Sequence, residues 1–162
     1  MPRFVFISTC AVHEVILDDR PLDEAHPLWP TSHYGAHKAA LEAFVHSYGL
    51  RQGWPICALR PTGIYGLAHP APASRWYDLV GQVLRGEPVA SPKGGKEIHA
   101  ADVARIAKEL TGSASTVADL NRGPKHQINT DKIRALGMTF GGEPLLRQTI
   151  AELVAAQRNH AP

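Results

Sequence analysis

The sequence predicts an α/β fold, a parallel sheet with flanking helices, and three observations lead to that prediction. Residues 3–8 form a continuous run of β-branched and aromatic side chains, as in a strand buried on both faces of a parallel sheet. A segment with helical periodicity follows at residues 31–48, and a second apolar run lies at 55–60. Strand, helix and strand in this order form a βαβ unit, whose crossover is right-handed.

Turn and capping residues place the remaining elements. Residues 18–30 hold three prolines and several acids, which indicates a surface loop. Thr31 or Ser32 is the expected N-cap of the first helix, and Gly49 is expected just beyond its end. Glycines and prolines at 63–72 predict a long loop at the carboxyl edge of the sheet, where ligands of α/β proteins bind. Helices are expected at 76–84, 101–110, 130–136 and 144–157, with a short strand at 96–99.

Composition excludes several classes of protein. The chain has 162 residues, 44% of them hydrophobic and 20% charged, with 17 Lys and Arg against 15 Asp and Glu. This balance fits one ordinary globular domain, and no basic patch of the kind that binds nucleic acid is present in the sequence. No apolar run approaches the roughly 20 residues that cross a bilayer, and the first residues do not resemble a signal peptide. We therefore expect a cytoplasmic protein without a membrane or nucleic-acid partner, in which Cys10 and Cys57 are small buried apolar residues.

The sharpest candidate for chemistry is the segment Tyr34-Gly-Ala-His-Lys38, together with Ser8-Thr9 at the end of the first strand. Residues four apart share one face of a helix, so the Lys38 ammonium is expected near the Tyr34 phenol. A neighbouring positive charge favours the phenolate, which can then remove a proton from an alcohol. The same spacing also occurs by chance in many helices, where the tyrosine is core and the lysine is solvated. The order of the surrounding elements is what favours the chemical interpretation.

That order resembles the extended short-chain dehydrogenase/reductase superfamily, and within it the NAD-dependent epimerase/dehydratase family that acts on nucleotide sugars. The matching stretches are residues 4–12, 21–24, 30–42, 59–66 and 98–104. They correspond to the carboxyl-terminal half of such an enzyme. The resemblance implies a partial Rossmann-like, NAD(P)-binding sheet with a small carboxyl-terminal substrate-binding portion. Within one domain of residues 1–162, residues 1–66 would be the catalytic βαβ portion and 67–162 the substrate-binding portion.

The resemblance also implies the roles of individual residues. Thr9 would polarise the substrate oxygen, Tyr34 would be the acid/base, and Lys38 would tune Tyr34 and bind the nicotinamide ribose. Tyr34 and Lys38 would thus also belong to the cofactor site, whose other implied members are Ser8, Pro61, Thr62 and Ile64. The cofactor would be NAD or NADP, and the substrate a nucleotide sugar or another small molecule.

Two departures from the family pattern leave three functions open. His13-Glu14 stands where the family usually has Tyr-Gly, which affects the substrate pocket more than the chemistry. Neither Gly-x-x-Gly-x-x-Gly nor Gly-x-Gly-x-x-Gly, the turn that holds the dinucleotide pyrophosphate, occurs in the sequence. The chain is therefore expected to be a sugar epimerase or dehydratase, a non-sugar carbonyl reductase of the same superfamily, or a non-catalytic remnant or binding module.

Partners are expected at two apolar surfaces. In the family the first strand lies between the second strand and one from the half that this sequence lacks. We therefore expect its unpaired edge to be covered by another copy, by a companion chain that supplies the first half, or by rearrangement. In the family the two matching helices commonly form a four-helix dimer interface, so the resemblance also implies a homodimer. Both helices keep apolar residues here, namely Leu41, Phe44, Leu79 and Val83.

Several polar residues have simpler expected roles. Arg60 is expected in an ion pair or on a phosphate, and Asp102 as a helix N-cap. His13 and His99 are expected to line the substrate crevice or its rim. His33 and His37 have the spacing of a helical ligand pair, but no further ligand stands at a characteristic spacing, so no metal site is predicted.

Overall fold

The computed structural model describes residues 2–91, 98–120 and 126–160, in which strands alternate with helices. The chain divides into two compact units, one formed by Met1–Ile64 with Gln127–Thr130 and the other by Tyr65–His126 with Asp131–Pro162. Each unit contains a two-stranded parallel sheet and at least one helix. This architecture confirms the predicted α/β class.

The first unit contains the predicted βαβ arrangement. Strand β1 (Phe4–Ile7) pairs in parallel with β2 (Ile56–Leu59). The pairing continues past both strands, where the Cys10 amide donates to the Pro61 carbonyl at 2.9 Å. A short 3-10 helix, Cys10–Val12, follows β1. The residues just after β1 therefore lie beside those just after β2.

Helix α1 (His33–His46) connects the two strands and begins where its cap predicts. The N-cap is Ser32, whose hydroxyl accepts from the Gly35 amide at 3.1 Å. At the other end the chain does not stop at Gly49 but winds on through a π-helical segment, Ser47–Arg51. The left-handed turn occurs instead at Gly53, with a φ of 65°. Gly49 was thus the wrong stop signal, because a glycine ends a helix only where it takes the left-handed conformation.

The sheet of the first unit is exposed where the sequence predicts burial. Phe4, Val5 and Ile7 are 59%, 51% and 52% exposed. Parallel sheets are buried when further strands and helices surround them, whereas in the described part of the chain β1 pairs only with β2. The expected two-sided burial is therefore wrong for this chain. The same holds for the cysteines, since Cys57 is exposed and Cys10 partly exposed.

The second unit contains more helix than strand. Its elements are α2 (Tyr77–Leu84), β3 (Val89–Ser91), α3 (Ala100–Thr111), β4 (Val117–Asp119), α4 (Asp131–Ala135) and α5 (Gly142–His160). Strands β3 and β4 pair in parallel, and the sequence did not predict them because three residues are too few to show a pattern. Of the strand expected at 96–99, residues 96 and 97 lie outside the described residues, and 98 and 99 precede α3 without strand structure.

Helices α2, α3 and α5 form the core of the second unit. Val80, Val83, Val103, Ile150 and Leu153 are each 0% exposed. Val83, which the sequence assigned to a dimer interface, is thus a core residue of its own unit. None of the described helices is both long enough and apolar enough to span a membrane.

The start of α3 corrects one capping prediction. The N-cap is His99, without a side-chain bond to the helix, and not Asp102. Asp102 lies in the first turn, where its carboxylate pairs with Arg105 at 2.6 Å. A carboxylate in the first turn is still favoured by the helix dipole, which is why the sequence pattern resembles a cap.

Candidate active site

Lys38 links helix α1 to the end of β1. Its ammonium donates to the Ile7 carbonyl at 2.7 Å. The same nitrogen lies 6.0 Å from the centroid of the Tyr34 ring and 5.0 Å from that of Phe6. The structure therefore brings Lys38 and Tyr34 together, with the positive charge held in place by a backbone carbonyl.

Tyr34 and Ile64 present their side chains to solvent. Tyr34 is 57% exposed and Ile64 is 75% exposed, while Pro61 and Thr62 are half-buried. All four belong to the first unit. A ligand can thus reach the phenol and the residues that follow β2.

The Thr9 side chain caps the 3-10 helix that follows β1. Its Oγ1 accepts from the Ala11 amide at 3.2 Å, and the residue is half-buried. A hydroxyl that accepts one hydrogen bond still has its own proton to donate. Ser8 differs from Thr9, because it is only 3% exposed and its hydroxyl donates to Glu42.

Gly35 allows α1 to approach the segment that carries Thr9. A Cβ at this position would lie 2.6 Å from the Ala11 carbonyl oxygen and 2.8 Å from Cβ of Pro30. Both distances are shorter than real Cβ contacts, and the first involves backbone. The glycine between Tyr34 and Lys38 is thus required for the close packing of α1 against Ala11 and Pro30.

A buried ion pair joins α1 to the ends of both strands. Glu42 is 0% exposed and accepts from Nε of Arg60 at 3.0 Å to each carboxylate oxygen, from Nη2 at 2.5 Å, and from the Ser8 hydroxyl. Burial raises the pKa of Glu42, but the hydrogen bonds from Arg60 and Ser8 and the charge of Arg60 outweigh it, so the pKa lies below its ordinary value. Of the two roles expected for Arg60, the structure thus contains the ion pair.

Glu14 supports the start of α1 from outside the helix. Its carboxylate accepts from the Thr31 and Ser32 amides and from both hydroxyls, at 2.7 Å for the Ser32 amide, 2.9 Å for the Ser32 hydroxyl and 2.8 Å for the Thr31 hydroxyl. These bonds, first those from Thr31, lower the pKa of Glu14 to about 2. The departure from the family's Tyr-Gly pair therefore has a structural use at this position.

The four histidines that the sequence singled out differ in exposure. His13 is 3% exposed and His99 is 6% exposed, so neither presents its ring to solvent. His33 and His37 are exposed, and no group of three His, Cys, Asp or Glu within the described ranges is arranged to hold a metal ion.

The sequence analysis did not single out Glu42, although a signal was present. Glu42 follows Lys38 by four residues and Tyr34 by eight, so all three lie on one stripe of α1. A carboxylate on a stripe that is otherwise mostly apolar indicates a buried partner. That partner, Arg60, is 18 residues away in sequence and becomes adjacent only when β1 and β2 pair.

The sequence matches a family model over most of its length. The model is that of the NAD dependent epimerase/dehydratase family, and it matches residues 1–117. Among curated proteins, the chain is 39% identical over 64 residues to dTDP-D-glucose 4,6-dehydratase of Mus musculus, which covers 40% of this chain and 18% of that protein. It is 26% identical over 149 residues to a trifunctional UDP-glucose 4,6-dehydratase, 3,5-epimerase and reductase of Arabidopsis thaliana, covering 88% of this chain and 22% of the relative. The chain thus spans about a fifth of these relatives.

Solved structures share the fold. UDP-glucuronic acid 4-epimerase from Bacillus cereus, in complex with NAD, superposes with a TM-score of 0.75 at 18% identity, covering 98% of this chain and 62% of that one. dTDP-glucose 4,6-dehydratase from Bacillus anthracis, also with NAD, gives 0.68 at 17% identity, with coverages of 98% and 62%. These likenesses confirm the Rossmann-like fold of a chain shorter than its neighbours. With the family model matching residues 1–117, the chain belongs to the NAD-dependent epimerase/dehydratase family.

Proposed function

We propose that this chain carries the acid/base site of an NAD-dependent enzyme that epimerises or dehydrates a nucleotide sugar. The observation that carries the proposal is the Lys38 ammonium, held by the Ile7 carbonyl at 2.7 Å beside the solvent-exposed Tyr34. Thr9 stands at the end of the same strand. An exposed phenol, a fixed positive charge and an oriented hydroxyl are the groups that proton transfer to or from an alcohol requires.

Each residue has a distinct part in the proposed step. Tyr34 takes the proton of a substrate hydroxyl, and the ammonium of Lys38, 6.0 Å from the centroid of the Tyr34 ring, supplies a positive charge beside it. Thr9 accepts from the Ala11 amide and donates its own proton toward the substrate oxygen. Bound NAD would accept the hydride that leaves the substrate carbon bearing this hydroxyl.

The residues present fit the nicotinamide end of the cofactor. An ammonium has three N–H donors, and Lys38 uses one of them on the Ile7 carbonyl. The other two would be able to donate to the ribose hydroxyls of the cofactor. Pro61, Thr62 and Ile64 would border the nicotinamide, and Tyr34 would face it. Ser8 would act on the cofactor site indirectly, through its neighbour Thr9, because its own hydroxyl already donates to Glu42.

Relatives favour NAD and a sugar substrate over the two alternatives. Solved neighbours of the same fold include an epimerase and a dehydratase in complex with NAD, and a second structure of the same epimerase in complex with UDP-glucuronic acid and NAD. Reduction of a non-sugar carbonyl has no comparable support. A binding module without turnover remains the competing function, because the glycine-rich turn is absent from these 162 residues.

Dinucleotide binding tests the proposal. NAD and NADP are titrated calorimetrically into the purified chain and into Lys38→Met, with the exposed Lys108→Met as matched control. We expect NAD to bind with a Kd below about 1 mM, weakened about tenfold in Lys38→Met and unchanged in the control. No binding of either dinucleotide at several millimolar would favour the binding-module alternative.

Turnover tests the acid/base role. UDP-glucose and dTDP-glucose are incubated with NAD and the chain, and the epimerised or dehydrated sugar is followed by chromatography, because these reactions consume no net NAD. Tyr34→Phe is expected to lower the rate about 10²- to 10⁴-fold, as is usual when a general acid/base is removed. A Tyr34→Phe variant as active as the parent would contradict the assignment.

We further propose that the open edge of β1 binds a strand-bearing segment that carries the glycine-rich turn. Phe4, Val5 and Ile7 are more than half exposed, which leaves an apolar surface of the kind that other strands cover. A second copy of the chain is the alternative occupant, and a dimer through the exposed Leu41 and Phe44 of α1 would leave the β1 edge available.

A further inference from the structure

Two buried histidines of the first unit meet on one backbone carbonyl. His13 and His26 are 3% and 2% exposed, and their rings lie edge to face with centroids 5.3 Å apart. Nδ1 of His13 is 3.1 Å from the Pro27 carbonyl oxygen, and Nδ1 of His26 is 2.9 Å from the same atom. A carbonyl oxygen only accepts, and it has two lone pairs, so each Nδ1 carries a hydrogen and donates it.

The remaining ring nitrogens face donors. Nη1 of Arg60 lies 3.1 Å from Nε2 of His13, and the Leu17 amide donates to Nε2 of His26 at 2.9 Å. A guanidinium and an amide N–H can only donate, so both Nε2 atoms must accept. All four nitrogens are thereby assigned, and both imidazoles are neutral with the hydrogen on Nδ1.

A second proton on either ring conflicts with this arrangement. On His26 it would place an N–H against the Leu17 amide, and on His13 it would face both an N–H and the positive charge of Arg60. Three nearby carboxylates are already engaged, Glu42 of α1 with Arg60 and Ser8, Asp23 of the loop with Arg20, and Glu14 with Thr31 and Ser32. The other carboxylates of the loop, Asp18, Asp19 and Glu24, are exposed to solvent. Protonation therefore breaks the contacts that hold the loop.

We propose that His13 and His26 form a pH-sensitive clamp that holds residues 23–28 while both rings are neutral and releases them when the rings are protonated. The release is local. Leu22 stays attached through its amide to the Gln127 carbonyl at 2.9 Å and through its carbonyl to the Asn129 amide at 2.8 Å. The Trp29 carbonyl still accepts from the Val15 amide at 3.1 Å, so the segment that opens is 23–28, between these two anchors.

The clamp is connected to the candidate active site at two points. His13 is the C-cap of the 3-10 helix whose N-cap is Thr9. Arg60 precedes Pro61, whose carbonyl accepts from the Cys10 amide at 2.9 Å. Both contacts are made by backbone groups, and Arg60 keeps its hydrogen bonds to Glu42, so opening of the clamp would leave the segments that border Thr9 in place. The clamp does not depend on the proposed function.

The tautomers are tested first. The full chain is labelled with 15N-histidine, and long-range proton–nitrogen spectra are recorded at about pH 7.5, above the usual titration range of histidine. Both His13 and His26 are expected with Nδ1 protonated and Nε2 bare. A hydrogen on Nε2 of either ring at this pH would overturn the proposal.

Release of the loop is tested by cleavage after Glu24, an exposed residue of the segment, with a glutamate-specific protease. Rates are normalised to a free peptide of the same sequence. From about pH 7.5 to about pH 5.5 we expect the normalised rate to rise about fivefold or more, in step with the imidazolium signals of His13 and His26. A rate that stays flat while these rings become charged would refute the clamp.

Variants separate the clamp from general acid sensitivity. A double variant, His13→Gln with His26→Gln, is expected to show the same normalised rate at both pH values, since glutamine does not titrate. His37→Gln removes an exposed histidine and is expected to behave as the parent chain does. A double variant that retains the rise would assign it to other groups; should the double variant not fold, the match between cleavage and ring titration in the parent chain decides.

Discussion

At the scale of single residues, Gly35 leaves no room for a side chain. An alanine there would place Cβ 2.6 Å from the Ala11 carbonyl oxygen, so α1 and the 3-10 helix would have to separate. We expect Gly35→Ala to lower the free energy of unfolding by about 1–3 kcal/mol, the usual cost of overpacking. Urea unfolding followed by tryptophan fluorescence measures it.

Gly49→Ala is the matched control for this prediction. Its Cβ would meet Ile56 at 3.5 Å, an ordinary contact, and the substitution is expected to change stability by less than about 1 kcal/mol. Equal effects at the two positions would show that the close approach at Gly35 does not limit packing.

Glu14 makes stability depend on pH in a defined window. Its pKa falls from 4.5 to about 2 because Thr31 and Ser32 donate to the carboxylate. The folded state thus favours the ionised form, so the contribution of Glu14 is fully present above the unfolded pKa of 4.5 and is lost as the pH falls toward 2. In Glu14→Gln, urea unfolding between these pH values should show a shallower loss of stability than in the parent chain.

The comparison for this prediction is Glu24→Gln, at an exposed position of the nearby loop. It should follow the parent chain across the same pH range. If Glu14→Gln and the parent chain lose stability in parallel, the carboxylate does not support the start of α1.

At the scale of elements, the Glu42–Arg60 pair fastens α1 to the ends of both strands. Removing one partner leaves the other charge buried or nearly so, since Glu42 is 0% and Arg60 17% exposed at the side chain. Glu42→Gln and Arg60→Met are each expected to cost about 3–5 kcal/mol in urea unfolding. The double variant should cost clearly less than the sum, because the pair acts as one unit, and additive losses would contradict this coupling.

The order of elements could be predicted from the sequence, but not all of their ends and partners. The cap at Ser32 and the apolar runs of β1 and β2 are local signals, and each corresponds to an element in the structure. The proximity of Tyr34 and Lys38 follows from the helical repeat alone. By contrast, the Glu42–Arg60 pair and the two-histidine cluster join residues distant in sequence, and β3 and β4 have only three residues each, so neither kind of feature leaves a local pattern.

At the scale of the whole molecule, the composition of β1 fits a larger sheet than the one that this chain forms. A strand of Phe, Val, Phe and Ile is typical of a strand with neighbours on both sides, and the sequence analysis predicted burial for that reason. The burial of a strand depends on the elements that surround it, so it cannot be predicted from the residues of the strand alone. Phe4, Val5 and Ile7 are exposed in this chain, which covers 62% of the length of the solved neighbour.

The backbone of β1 shows which edge a further strand would use. The Phe4 and Ser8 amides donate to the Pro55 and Leu59 carbonyls, toward β2. Since backbone groups alternate along a parallel strand, the N–H and C=O groups of Val5 and Ile7 point to the opposite edge. At that edge Lys38 donates to the Ile7 carbonyl, so an incoming strand would pair with the N–H and C=O groups of Val5.

Val5→Pro is therefore expected to block strand addition while preserving the pairing with β2, because it removes only an outward-facing donor. By sedimentation equilibrium, we expect the purified parent chain to show an average mass above that of the monomer, rising with concentration, because the open edge pairs between copies. Val5→Pro should reduce this association about tenfold or more, and Val5→Thr, which keeps the N–H, should associate as the parent does. A parent chain that stays monomeric at all concentrations, or a Val5→Pro variant that associates equally well, would show that the β1 edge is not the surface through which copies meet.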